Sequence, residues 1–437
     1  MLISYDFSSA LKEKIGPAGI PAKSKKALMP RLKRIREGLK QAHAKGSVGF
    51  LSIPERRSDL RRVVALAKEI SRKFKTLIVI GIGGSDLGAR AFVRALDEGK
   101  GMDVRFIGAN TDPEEIAALL DSVDLKKCAL NVISKSGDTI EPMSTFLLLR
   151  ERLIAKVGKR AHAEHIIATT DWNRGTLRTI ADREGYRTLP VPNDIGGRFS
   201  ALTPVGLFPA ACAGIDVAGL VRGAGKIRDR FLSIPMSGNN VLNYCAVHYL
   251  GYSKRGQRIH VLMPYAARLD LLGDWYRQLW AESLGKRLSR RGREVNHGPT
   301  PVAALGATDQ HSQIQLYNEG PDDKIVTFIE VERPRSDFIV PKPYPDLEGI
   351  AYLGGQRFSA ILDAERRATA QALAANGRPS GTIAIPSISP ETVGGLMMFF
   401  MLATAAMGEL LDVNAYDQPG VEAGKKAMDK MLGRKSR

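Results

Sequence analysis

The sequence predicts an α/β protein built on two mostly parallel sheets, each covered by helices on both faces. Short apolar runs alternate with amphipathic helical stretches from about residue 60 onward. Several of those runs stop at glycine- or hydroxyl-rich turns that lead straight into helical sequence. The chain has 437 residues, enough for two or three domains.

Residues 1–56 read as a helical lead-in, with Leu28, Leu32, Ile35 and Leu39 at helical spacing. The interleaved Lys23, Lys25, Lys26, Arg31, Lys33, Arg34 and Arg36 predict a solvated basic face. A first α/β unit over 57–215 has expected strands at 76–81, 104–108, 129–133, 165–168 and 187–191. Its clearest helices are expected at 114–120 and from about 139 through 149. A second α/β unit over 235–390 has expected strands at 258–263, 324–331 and 382–385, and helices at 271–284 and 358–375. Residues 391–437 supply C-terminal helices. The uncharged run 392–408 is short for a bilayer span of about 20 residues and is flanked by Glu391 and Glu409, so a buried helix is expected.

Composition narrows the classes. Hydrophobic residues make up 44% and charged residues 25%, which excludes a disordered polymer. Lys and Arg number 64 against 46 Asp and Glu, a net charge of +18 that suits anionic ligands. Nucleic acid is one such class, and basic clusters lie at 286–293 and 425–437, but no groove-reading or base-stacking motif accompanies them. Cys128, Cys212 and Cys245 lie far apart, which argues against a disulfide framework or zinc cluster and for a reducing, cytoplasmic setting. The charged N-terminus is not a signal peptide, and no membrane span is expected.

Two turns carry the first chemistry. Gly81-Ile82-Gly83-Gly84-Ser85-Asp86-Leu87-Gly88 sits where a strand becomes a helix, where glycines permit a sharp turn and helix amides attract phosphate. Asp86 occupies the third glycine of a dinucleotide motif and the second of a nucleotide-triphosphate motif, so neither applies. Ser134, Lys135, Ser136 and Thr139 follow another strand end, where hydroxyls encircle a phosphate and Lys135 adds charge. One hydroxyl there would also serve as a helix cap. Two such turns beyond strand ends imply a phosphorylated small molecule. Further on, Arg198 stands beside Gly197 as a fork for oxyanions. Gln278 and Glu282 are four residues apart on one helix face, and Glu282 is a candidate general base. His311 has no neighbour at metal-ligand spacing, so no metal is expected. Gln418 enters a terminal helix that also carries Lys425.

Taken together, the Gly81–Gly88 turn, Ser134 to Glu141, Gly196 to Ser200, Glu282 to Lys286, His311 and Tyr416 to Lys425 resemble the glucose-6-phosphate isomerase family in its shorter bacterial form. The resemblance covers residues 77–425. It implies two sugar-isomerase-type three-layer αβα domains, a homodimer, and a glycolytic and gluconeogenic enzyme interconverting glucose 6-phosphate and fructose 6-phosphate without a cofactor. It implies that Ser85, Ser134, Lys135, Ser136 and Thr139 hold the phosphate, and that Gly197, Gln278 and Gln418 line the sugar. Glu282 would be the base and Arg198 the stabiliser of the intermediate. His311, contributed across the dimer interface, and Lys425 would open the ring. Asp138 departs from the pattern, since related short forms usually have Thr there, and its charge beside the phosphate loop would oppose binding if the side chain points inward. A non-catalytic phosphosugar sensor could dispense with Glu282, His311 and Lys425, so their presence favours the enzyme. Acceptance of mannose 6-phosphate is the alternative within the enzyme reading, and Gln278 leans against it.

Overall fold

The structure, a computed structural model, describes residues 1–235 and 238–433. Residues 236–237 of the second expected unit, and 434–437 of the C-terminal basic cluster, lie outside the described residues.

The chain opens with β1 (Ser4–Asp6), a correction to the all-helical lead-in. Three residues are too few to show an alternating pattern, and the strand exists because it pairs antiparallel with sequence 380 positions away, Ser4 opposite Ala384. The rest of the lead-in is helical, and Ala22–Ala44 buries Leu32, Ile35 and Leu39 as the periodicity predicts. Its basic face is not wholly solvated. Arg31 donates to the carbonyls of Glu409 (3.2 Å) and Leu410 (2.6 Å), closing the end of another helix, and Arg36 donates to the Ile234 carbonyl (2.7 Å).

The first sheet contains β2 (Thr76–Ile80), β3 (Asp103–Ile107), β4 (Cys128–Ile133), β5 (Ile166–Thr170) and β6 (Arg187–Pro190). They are all parallel, in the order β3-β2-β4-β5-β6. Later come β7 (Ile259–Pro264), a small hairpin of β8 (Lys286–Leu288) and β9 (Glu294–His297), then β10 (Thr300–Ala303), β11 (Lys324–Val331) and β12 (Ser380–Ile385). The second sheet runs β1-β12-β11-β7-β10 and is parallel except at β1.

Period-two alternation divides each strand between two cores. Leu77 and Val79 face a large central cluster while Ile78 and Ile80 face a cluster on the other side of the sheet. In β7, Leu262 joins the same central cluster while Val261 and Met263 face outward to another. One core therefore lies between the two sheets.

Helix Pro390–Leu411 fills that core, and of the described helices it alone is long and apolar enough to cross a membrane. It packs instead on Val217–Ser233, Asn240–Arg255 and Asp270–Leu284. The contact with Val217–Ser233 is backbone to backbone: a Cβ on Gly394 would lie 2.0 Å from the Leu220 carbonyl oxygen. Helix Val217–Ser233 escaped the sequence reading because Gly219, Gly223 and Gly225 weaken its propensity. Close packing against the core helix outweighs that preference.

Candidate active site

After β2 the chain steps to β3 on one side and then returns to β4 on the other. The C-terminal ends of β2 and β4 thus flank a switch point, where diverging loops leave a crevice in an open parallel sheet. Both turns singled out from the sequence lie there. They line a cavity of about 560 Å³, within the usual range for a small ligand, with Ser85, Ser134, Ser136 and Thr139 in its wall.

The hydroxyls divide into two kinds. Ser134 Oγ accepts from the Gly137 N–H at 2.9 Å and Ser136 Oγ from the Asp138 N–H at 3.2 Å, so both also shape the turn. Thr139 takes the N-cap position of helix Ile140–Val157 without making the side-chain cap. Its hydroxyl and that of Ser85 have no hydrogen-bond partner among the described residues, which leaves both available to a ligand.

Two details differ from the local reading. Lys135 lines the cavity, but its Nζ donates to the carbonyls of Pro192 (3.3 Å) and Asn193 (3.2 Å). Asp138 accepts from the Thr176 hydroxyl at 2.6 Å, which ties its carboxylate to the start of the next helix. A residue the sequence reading missed, Arg174, also lines the cavity, and its guanidinium has no protein partner among the described residues. Asp171 builds the turn that presents it, accepting from the N–H groups of Asn173 (3.1 Å) and Arg174 (3.2 Å).

The glycine turn is also a junction. Gly83 has φ +57°, and a Cβ there would lie 2.8 Å from Gln278 Nε2; one on Gly84 would lie 2.3 Å from the Gly197 carbonyl. Two other motifs therefore press on this loop. Asp86, just beyond, is buried against Arg90 (2.6 Å), and burial pushes its carboxyl up to about 6.

Helix Asp270–Leu284 carries Gln278 and Glu282 one turn apart, as the spacing predicts. Gln278 Nε2 donates to Glu282 Oε2 at 3.1 Å, while Gln278 Oε1 is buried without a partner among the described residues. Such an orphaned acceptor costs stability unless a ligand donor meets it. The other Glu282 oxygen lies 3.4 Å from Arg198 Nη1.

Arg198 is buried. It donates to Ser283 Oγ (2.7 Å), Gln418 Oε1 (3.0 Å) and the carbonyls of Ala415 and Asp417 (both 2.8 Å). Burial pushes its pKa down while Glu282 and Asp417 oppose the shift, and a guanidinium stays charged throughout. Lys286, given no role by the sequence, is buried beside this cluster.

Two candidates stand apart. His311 is exposed on the turn Thr308–His311, and its side chain makes no hydrogen bond or ion pair among the described residues. Lys425 is exposed on helix Glu422–Met431 and pairs with Glu422 at 3.0 Å; among the described residues no contact joins it to Glu282. The described residues contain no group of three His, Cys, Asp or Glu placed to hold a metal ion.

The sequence matches the family model described as phosphoglucose isomerase over residues 64–341 and 355–436. It is 42% identical to a glucose-6-phosphate isomerase of Carboxydothermus hydrogenoformans, covering 99% of this chain and 95% of that one. A glucose-6-phosphate isomerase of Thermus thermophilus is 40% identical over 88% of this chain and 90% of its own. Among solved structures, a hypothetical protein of Thermus thermophilus superposes with a TM-score of 0.90 at 36% identity, over 99% of this chain and 100% of that one. A glucose-6-phosphate isomerase of Chlamydia trachomatis superposes with a TM-score of 0.85 at 24% identity, over 99% and 88%.

Proposed function

We propose, because the chain belongs to the phosphoglucose isomerase family and isomerises glucose 6-phosphate and fructose 6-phosphate, that Glu282 carries the proton between C2 and C1 through a cis-enediol. What carries this reading is the meeting of two half-sites at one turn. Ser85 faces the cavity, while Gly83 and Gly84 press against Gln278 and Gly197 of the Glu282 cluster. A phosphosugar anchored in the cavity lays its reacting carbons toward Glu282, and the remote phosphate contacts supply orientation. Arg198 offers a fixed cation to the enediolate oxygen. The buried Gln278 Oε1 awaits a sugar hydroxyl, and Gly197 and Gln418 line the same side.

In this reading Ser85, Ser134, Ser136 and Thr139 hold the phosphate through their hydroxyls. Lys135 adds charge from the cavity wall, and Arg174 adds a guanidinium free to fold onto the oxyanion. A charge-assisted hydrogen bond of this kind contributes about 1.5–3 kcal/mol. Arg174→Ala is therefore expected to raise KM for fructose 6-phosphate roughly tenfold to a hundredfold, with kcat little changed. The increase should shrink as salt screens the remaining charges. An unchanged KM at low salt would remove Arg174 from the phosphate site.

Ring opening falls to His311 and Lys425. The exposure of His311, without a partner among the described residues of its own chain, supports its entry into the neighbouring site of a homodimer. Helix Glu422–Met431 buries no residue, and in this reading it packs over the site when Lys425 acts. Refolding Glu282→Gln chains together with His311→Ala chains tests the shared site. In a two-fold dimer each mixed pair has one doubly damaged site and one intact site. Activity is expected to return in about a quarter of all sites, read in a coupled assay with fructose 6-phosphate. Mixed dimers that stay inactive would place both residues in one chain's site.

A further inference from the structure

Lys286 lies directly behind the base. Its Nζ donates to the carbonyls of Glu282 (2.6 Å) and Ser283 (3.0 Å), the last turn of the helix that presents Glu282. The same Nζ is 3.8 Å from Asp417 Oδ1, on the segment whose Ala415 and Asp417 carbonyls hold Arg198. One buried ammonium thus touches the backbone of the base and the anchor of the cation. A lysine is costly to bury, and an apolar residue would suffice if this position only filled space.

We propose that Lys286 is a positioning residue for the isomerisation, tying the end of helix Asp270–Leu284 to the 415–418 segment so that Glu282 and Arg198 are held in one frame. The proposal rests on Glu282 being the base. Its physical content is electrostatic and geometric. The ammonium offsets the partial negative charge of the helix end beneath Glu282. It also attracts Asp417, which keeps the carbonyls that orient Arg198 in place. A shift of the order of an ångström between base and cation is enough to cost about a hundredfold in rate.

The frame depends on the charge. Burial first, and then the nearby Arg198, push Lys286 down to about 8, against the opposing pull of Asp417 and Glu282. His297 stands across the hairpin from it. Above that pH the amine is neutral: it still donates to the carbonyls, but its ion pair with Asp417 is gone.

The test compares wild type, Lys286→Arg and Lys286→Met in kcat and KM for fructose 6-phosphate from about pH 6.5 to 10. Calorimetric binding of 6-phosphogluconate and a thermal melt accompany each variant. Wild-type kcat is expected to fall as pH passes about 8. In Lys286→Arg that fall should move upward by at least about one pH unit, because a guanidinium keeps its proton. Lys286→Met should lose roughly tenfold to a hundredfold in kcat at neutral pH and show no fall near 8. Its KM and its affinity for 6-phosphogluconate should stay within about threefold.

An alkaline limb that is absent, or unmoved in Lys286→Arg, overturns the proposal. So does wild-type kcat in a folded Lys286→Met, or an effect confined to KM. If Lys286→Met fails to fold, the limb in Lys286→Arg decides alone. Turnover retained in Glu282→Gln would overturn the base assignment. An inactive Glu282→Gln together with a limb indifferent to Lys286 would overturn this proposal only.

Discussion

Glu282→Gln is expected to stop isomerisation while leaving phosphosugar binding nearly intact. The substitution keeps the side chain's shape and removes its ability to take a proton, so the loss measures general-base catalysis, typically about 10²–10⁴ in rate. The local structure should tolerate it. Glu282 accepts from Gln278 at 3.1 Å and faces Arg198 at 3.4 Å. A glutamine can turn its carbonyl toward Arg198, which keeps a hydrogen-bond acceptor there but gives up the charge of the ion pair, and it loses the contact with Gln278, worth about 1 kcal/mol. The hydroxyls of the phosphate cavity belong to other loops, so 6-phosphogluconate affinity should change by less than about twofold in calorimetry. More than about a tenth of wild-type turnover would mean that another group carries the proton.

Arg198→Ala is expected to combine a large loss of kcat with a loss of stability, and the pair of effects is its signature. Removing a fixed donor from a developing oxyanion typically costs about 10²–10³ in kcat. Here the same deletion strips the donor from Ser283 Oγ, Gln418 Oε1 and the carbonyls of Ala415 and Asp417. Buried acceptors left without partners cost about 1–3 kcal/mol each unless water reaches them. The melting temperature should therefore fall by several degrees, unlike that of Glu282→Gln. Arg198→Lys restores the charge but not the fork, so it should recover part of the stability and little of the rate. An Arg198→Ala enzyme with wild-type kcat and a raised KM would reduce Arg198 to a binding residue.

Much of this architecture was legible along the chain. The runs at β2, β4 and β11 are apolar on both faces, as buried parallel strands must be, and the turns after β2 and β4 announce themselves by glycine and hydroxyl content. The four-residue spacing of Gln278 and Glu282 was enough to put them on one helix face. The family resemblance rested on these local patterns, and it brought forward the names of residues whose own sequence context was bland. His311 and Lys425 are of that kind: neither has a local pattern that marks it, and neither touches Glu282 within this chain.

By itself, then, the sequence determined what a few consecutive residues can decide: strand or helix, the sharp turns at strand ends, and which face of each element is apolar. Tertiary structure decided where the long charged side chains ended. Local signals did not place Lys135 on the carbonyls of Pro192 and Asn193, Arg31 on the end of helix Pro390–Leu411, or Arg174 in the cavity left beside Lys135. They did not bury Lys286 beneath Glu282 or join β1 to β12 either. The reason is one of range. Backbone preference and hydrophobic period act over a few residues, whereas a lysine or arginine is a flexible tether whose charge goes to whatever carbonyl or carboxylate the fold brings within reach. Which groups come within reach is set by strand order, and strand order is set by contacts from about 20 to 380 residues apart.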